Sequence, residues 1–267
     1  MNEHDGDVAA PCGILVSVHA TQGSVPRERG AWMAVFADGV QGTIGGGQLE
    51  FQAIDEARRR LRGEAGPPWL RYPLGPSLGQ CCGGVVELGF APVTLAGLAD
   101  MLAQRRALQT PVALFGGGHV GSALVRALAP LPFAITWIDS RDEIFPGDVP
   151  AGVSCEHSDP VHAAVPGLAA ASLVLIMSFS HAEDLDVVAA CLLRLRQRGD
   201  LAFIGLIGSQ TKWATFRHRL EARGFGAAEL ARVTSPIGLP GLRGKEPEVI
   251  AASVAAQLLL VRQQQAG

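Results

Sequence analysis

The run Val112-Ala113-Leu114-Phe115-Gly116-Gly117-Gly118-His119-Val120-Gly121 sets the architecture of more than half of this chain. Its first four residues form an apolar segment of strand length, and the glycines follow at once. Val120, Leu124, Ala127 and Leu128 then recur at helical spacing, and a second apolar run over 133–138 ends at Asp139. Strand, glycine turn, helix, strand and acid form the dinucleotide-binding fingerprint, with the acid about 20 residues past the glycines. Gly116 permits the tight turn, Gly118 lets a phosphate approach the backbone, and Gly121 lets helix and sheet pack closely. The first N–H groups of the helix offer donors and a positive dipole end to an anion. Gly117 and His119 complete the turn, and His119 could either bond a phosphate or stay solvated. The pattern implies a phosphate-bearing ligand. It does not establish hydride chemistry, because a fold does not fix a function.

Strands and helices continue to alternate beyond Asp139. Runs at 153–156, 172–179 and 201–207 read as strands, and 184–198, 211–223 and 247–262 as helices. That alternation predicts a Rossmann-type domain with a mostly parallel sheet over residues 111–267. Upstream, 13–18 and 31–37 read as strands, Asp38-Gly39 as a hairpin turn, and 41–44 as the return strand. The segment 21–26 reads as a loop. Gly45-Gly46-Gly47 opens a helix with Leu49, Ala53, Ala57 and Leu61 on one stripe. These three glycines make either a second anion site or only a tight turn. Strands are expected at 69–73 and 85–90, then a connecting helix over 94–108. The expected organisation is a disordered lead-in at 1–11, a small mixed domain at 12–110, and the Rossmann-type domain. The fold class is α/β.

Composition narrows the function. The chain has 267 residues, 48% hydrophobic and 18% charged, which describes a globular protein with a substantial core. A net charge of -3 gives no electrostatic case for nucleic acid or an anionic membrane as the partner. Residues 1–8 read neither as a signal peptide nor as a transit sequence, and no apolar run approaches a membrane span. A cytoplasmic location is expected. Five cysteines without repeated spacing suit reduced thiols there.

Cys81-Cys82-Gly83-Gly84 is the second chemical focus. Its glycines leave room for approach, so a thiol here could be a nucleophile, a sulfur carrier or a soft metal ligand, or simply a packed side chain. Cys12, Cys155 and Cys191 read as core residues. His157 and His162 fall five apart and would not share a helix face, which argues against a zinc pair. His181, Ser178, Ser180, Ser209 and Lys212 lie near expected strand ends, where open α/β sheets bind ligands. No Walker loop or nucleophile elbow is present, and the two lysines, Lys212 and Lys245, follow no cofactor cradle.

Six segments stand in a fixed order: Ala20-Thr21-Gln22-Gly23-Ser24-Val25-Pro26, Gly42-Thr43-Ile44-Gly45-Gly46-Gly47, Cys82-Gly83-Gly84, Phe115-Gly116-Gly117-Gly118-His119-Val120, Gly205-Leu206-Ile207-Gly208-Ser209 and Ser235-Pro236-Ile237-Gly238-Leu239. Together they resemble the XdhC/CoxI family, the accessory proteins of bacterial xanthine dehydrogenase, over about residues 13–90 and 112–258. The resemblance implies a chaperone that binds and protects the molybdenum cofactor, holds it for sulfuration and delivers it to apo-xanthine dehydrogenase. Implied partners are the molybdenum-bearing subunit and a cysteine desulfurase, with cofactor-biosynthesis proteins and a second copy of the chain also open. A binder rather than an enzyme is expected. Gly45, Gly46, Gly47, Gly116, Gly117, Gly118, His119, Gly121 and Asp139 would then contact the cofactor. Cys82, which matches the Cys-Gly-Gly of the family, would contact the metal ahead of Cys81. Lys245-Glu246-Pro247-Glu248 departs from the Thr-Pro-Glu helix start of many members. The alternative from the fingerprint alone is an NAD(P)-dependent oxidoreductase.

Overall fold

A computed structural model describes residues 12–75 and 83–266. Cys81 and Cys82 lie outside them. The chain divides into two compact units, Met1–Gln104 and Arg105–Gly267.

The first unit is a five-stranded antiparallel sheet with one helix. Its strands are β1 (Gly13–Gln22), β2 (Trp32–Phe36), β3 (Val40–Thr43), β4 (Trp69–Pro73) and β5 (Val85–Val93), in the order β3-β2-β1-β5-β4. Alternate residues Ile14, Val16 and Val18 of β1 are buried, joined by Met33, Val35, Val86 and Leu88. Helix α1 (Gly47–Leu61) covers that face with Leu49, Ala53 and Ala57, as its spacing requires. The Asp38-Gly39 turn closes with Phe36 N–H donating to the Gly39 carbonyl at 2.9 Å. One boundary moves. β1 runs on through Thr21 and Gln22, which pair with Val86 and Val85 after a register shift between Val18 and Ala20. A long partner strand holds these residues in the ladder, although their own composition reads as a loop.

Helix α2 (Leu95–Ala107) leads into the second unit. There β6 (Thr110–Phe115), β7 (Phe133–Asp139), β8 (Ser154–His157), β9 (Leu173–Ile176), β10 (Phe203–Leu206) and β11 (Val233–Thr234) form one sheet, and each adjacent pair is parallel. The order β11-β10-β9-β6-β7-β8 reverses direction between β6 and β9. This is the doubly wound dinucleotide-binding topology, and ligands sit outside the strand carboxyl ends at the reversal. Period-two alternation builds both layers. Val112 and Leu114 of β6 face α3 (His119–Leu128) and α7 (Pro247–Ala266), where Leu124, Leu128, Val254 and Leu258 pack. Ala113 and Phe115 face α4 (His181–Arg198) and α5 (Gln210–Ala222), meeting Leu185, Val188, Phe216 and Leu220.

Strand β9 is shorter than its apolar run. After Ile176 the chain turns, and Ser178 N–H donates to Asp184 Oδ1 at 2.7 Å instead of to a strand. The 3-10 turn Val161–Gly167, helix α6 (Ala227–Leu230) and β11 escape sequence reading, being too short for periodicity to register. Two cysteines also differ from expectation. Cys12 and Cys155 are exposed, Cys155 because β8 is an edge strand, and only Cys191 of the three is core. No helix among the described residues is long and apolar enough to cross a membrane.

Candidate functional site

The glycine turn lies at the carboxyl end of β6, on the sheet reversal. Gly116 takes φ +124°, and a Cβ there would strike the Met177 carbonyl of the segment after β9. A Cβ on Gly121 would strike the Gly116 carbonyl oxygen, so this third glycine seats α3 against the turn. Gly118 is different. It is the N-cap of α3 with φ -72°, and nothing lies within 4 Å of a Cβ built on it. No side chain caps this helix among the described residues, and its first turn holds no acid. Exposed His119 is its first residue. Helices α4 and α5 are capped instead, by the Ser180 and Ser209 hydroxyls accepting from Glu183 N–H and Lys212 N–H. The α3 terminus therefore presents open backbone donors where the topology expects an anion.

Asp139 ends β7 and is 1% exposed. Its Oδ2 accepts from Gly117 N–H at 2.5 Å and from Arg141 Nη2 at 2.9 Å. Its Oδ1 accepts from the Arg141 backbone N–H and Nε, both at 2.9 Å. Four hydrogen bonds fill the acceptor capacity of a carboxylate. Burial pushes the carboxyl up, yet the bonds from Arg141 and Gly117 outweigh it and hold Asp139 below the usual carboxylate range. The guanidinium of Arg141 also lies over the Phe179 ring, 4.6 Å from its centroid. Asp139 thus ties the glycine turn to Arg141, which in turn covers Phe179 after β9.

The ends of β9 and β10 carry the remaining expected residues. Lys212 Nζ donates to Asp184 Oδ2 at 2.6 Å and to the Ile207 carbonyl at 2.8 Å. Asp184 is buried and Lys212 nearly so, and burial raises the Asp184 carboxyl despite the ammonium beside it. His181 is exposed, with its ring edge-on to Phe216. Ser178 Oγ is enclosed without a partner among the described residues. After β11, Ile237 N–H donates to the Leu206 carbonyl and Leu239 N–H to Ser253 Oγ. These two motifs wall a cavity of about 300 Å³ with Ile207, Pro236, Ile237 and Leu242. All of these groups lie at the carboxyl edge of one sheet.

In the first unit, three of the ordered motifs converge. A Cβ on Gly84 would strike the Ser24 and Gln22 carbonyls, and one on Gly45 would strike Pro26. The Gly45-Gly46-Gly47 turn carries φ of +122°, +75° and +65°. Two of its N–H donors are already used, Gly45 N–H by Thr43 Oγ1 at 3.1 Å and Gly46 N–H by Glu50. Glu50 Oε2 accepts from Gly46 N–H at 3.0 Å, Ile44 N–H at 3.1 Å and the Thr43 hydroxyl at 2.6 Å. Burial raises the Glu50 carboxyl, but these bonds prevail and lower it. The carboxylate that meets these N–H groups is the chain's own Glu50. In sequence Glu50 reads as an acid near the helix start that suits the dipole or faces a ligand, and the structure turns it onto the glycines.

Comparison with known proteins places these features in a family. Residues 112–258 match the model described as the XdhC Rossmann domain, and residues 11–73 match that of the XdhC and CoxI family. The uncharacterized protein YqeB of Escherichia coli strain K12 is 27% identical over 254 residues, covering 93% of this chain and 43% of that protein. The chain thus spans less than half the length of the curated relative it matches. A crystal structure of a xanthine dehydrogenase from Bacillus halodurans shares the fold, with TM-score 0.73 at 18% identity over 97% of this chain and 93% of that one. A Rossmann-fold NAD(P)-binding family protein from Shigella flexneri gives TM-score 0.40 at 16% identity, over 58% of this chain and 88% of that one. With its Rossmann-domain motifs and its N-terminal motifs both accounted for, this chain belongs to the XdhC/CoxI family.

Proposed function

We propose that the chain is a maturation factor that binds the molybdenum cofactor as cargo, holds it for sulfuration and delivers it to apo-xanthine dehydrogenase. The observation that carries this reading is a contrast at the sheet reversal. The α3 terminus stands open, while Asp139 has no acceptor left for a ribose diol. A phosphate-bearing ligand that is not a dinucleotide suits that pairing. Molybdopterin is such a ligand, and family membership points the same way.

Gly116, Gly117, Gly118, His119 and Gly121 would cradle its phosphate, with Asp139 fixing the turn through Gly117. Gly45, Gly46 and Gly47 would act through Glu50, which already engages their turn. Cys82 would supply a thiolate for the soft metal end, with Cys81 as the lesser candidate. The chain binds and hands over; it performs no bond chemistry of its own. Its partners would be the molybdenum-bearing subunit and a cysteine desulfurase, and its place the cytoplasm. The NAD(P)-dependent oxidoreductase is the reading that the engaged Asp139 disfavours.

The test is to incubate the purified chain with molybdenum cofactor, remove free ligand, and measure bound pterin and molybdenum. Stoichiometric retention, followed by activation of apo-xanthine dehydrogenase on mixing, is the expected result. Steady-state oxidation of NADH with no cofactor retention would overturn it.

A further inference from the structure

One acid at the crevice is full, and a neighbouring one is not. Glu183 sits in the first turn of α4, its backbone N–H held by the Ser180 hydroxyl at 3.2 Å. Its Oε1 accepts from the Ser140 hydroxyl at 2.6 Å. Its Oε2 is enclosed and has no partner among the described residues. Ser178 Oγ, on the same turn after β9, is enclosed and unpartnered as well. A buried acceptor left unpaired is costly, and a donor brought by a ligand would relieve that cost. Phe179, the next residue after Ser178 in the chain, is 67% exposed despite its size, with the Arg141 guanidinium on its ring.

These groups select a ligand by chemistry. An exposed aromatic face backed by a guanidinium plane takes a flat π-system. A carboxylate oxygen takes N–H donors and repels acceptors. The combination calls for a planar heterocycle carrying adjacent N–H donors. A pterin presents its 2-amino group beside N3–H, a donor pair that matches a carboxylate. Adenine sets its amino group between ring acceptors and matches poorly. We propose that Glu183, rather than Asp139, is the carboxylate that reads the heterocyclic end of the ligand, with Phe179 as its stacking surface. The inference rests on the cargo reading above and names the part of the crevice that recognises the pterin.

The experiment titrates the full-length chain with a phosphate-free 6-hydroxymethylpterin and with the matching lumazine, in which an oxo group replaces the 2-amino group. Ligand fluorescence reads binding. The parent should prefer the pterin by on the order of tenfold or more. Glu183→Gln should bring that ratio close to one, with inorganic phosphate binding unchanged. Phe179→Ala, at an exposed position that keeps the fold, should weaken both rings alike. A folded Glu183→Gln that keeps the preference overturns the assignment, as does a Phe179→Ala that binds both rings like the parent. A parent that retains molybdenum cofactor but does not distinguish pterin from lumazine also overturns it, leaving the cargo reading intact. A parent that binds neither cofactor nor pterin overturns both.

Discussion

Gly118 has open space where a side chain would stand and a backbone φ of -72° that any residue adopts. Gly118→Val should therefore fold like the parent while screening the α3 donors from a phosphate. Thermal melting should change little, and cofactor retention should fall by on the order of tenfold or more. Unchanged retention in the folded variant would remove this turn as the phosphate site. Gly121→Ala is the contrasting case, because its Cβ meets the Gly116 carbonyl oxygen, and it should cost stability by about 1–3 kcal/mol. The jobs of these glycines were legible in their spacing. The occupation of Asp139 was not, since only folding brings Gly117 and the Arg141 fork onto one carboxylate. That occupation has a pH signature. The folded carboxyl lies below the ordinary aspartate value of about 3.9, so its stabilisation is complete above that value and is lost as pH falls through the lower folded value. Urea unfolding followed from about pH 6 to about pH 2 should lose less stability in Asp139→Asn than in the parent. Parallel curves would show that the fork contributes nothing to folding.

Helices α1, α3 and α4 were read from their apolar stripes and stand within a few residues of where periodicity put them, and α5 stands within one residue of the expected 211–223. What periodicity does not carry is the fastening between elements. Lys212 and Asp184 lie 28 positions apart and join the starts of α5 and α4 under the ends of β10 and β9. Nothing local marks them as partners, and Lys212 read only as one residue near a strand end. The same carboxylate draws Ser178 N–H off the strand and so ends β9 early. Lys212→Met should leave Asp184 buried without its ammonium, a loss of about 3–5 kcal/mol. Adding Asp184→Asn should restore part of that stability, because the orphaned charge goes with it. Denaturant midpoints for the two single variants and the double variant read this directly. A Lys212→Met midpoint equal to the parent's would mean that the pair does not fasten α5 to α4.

Across the whole molecule, the strand and helix alternation announced a parallel sheet, but the order of its six strands rests on pairings distant in sequence. The fingerprint narrows those pairings, since β6 must lie beside β7, while the placement of β9 on the other side of β6 needs the fold. The six ordered motifs gather in two places, three at one end of the first sheet and three along the carboxyl edge of the second. The Cys82-Gly83-Gly84 motif belongs to the first group through Gly84, which abuts Ser24. Its thiol should therefore be separable in function from the phosphate turn of the second unit. Cys82→Ser should keep pterin binding and lose molybdenum retention, because a thiolate is the soft donor and a hydroxyl is not. The parent's metal retention should also weaken as pH falls below the thiol's own pKa, whereas pterin binding should not follow that titration. Cys81→Ser should behave like the parent. Mixing each loaded variant with apo-xanthine dehydrogenase and measuring the activity recovered completes the comparison. A loss confined to Cys81→Ser would exchange the two roles. Full delivery by both variants would remove the thiols from the cargo site and leave the metal end to groups other than sulfur.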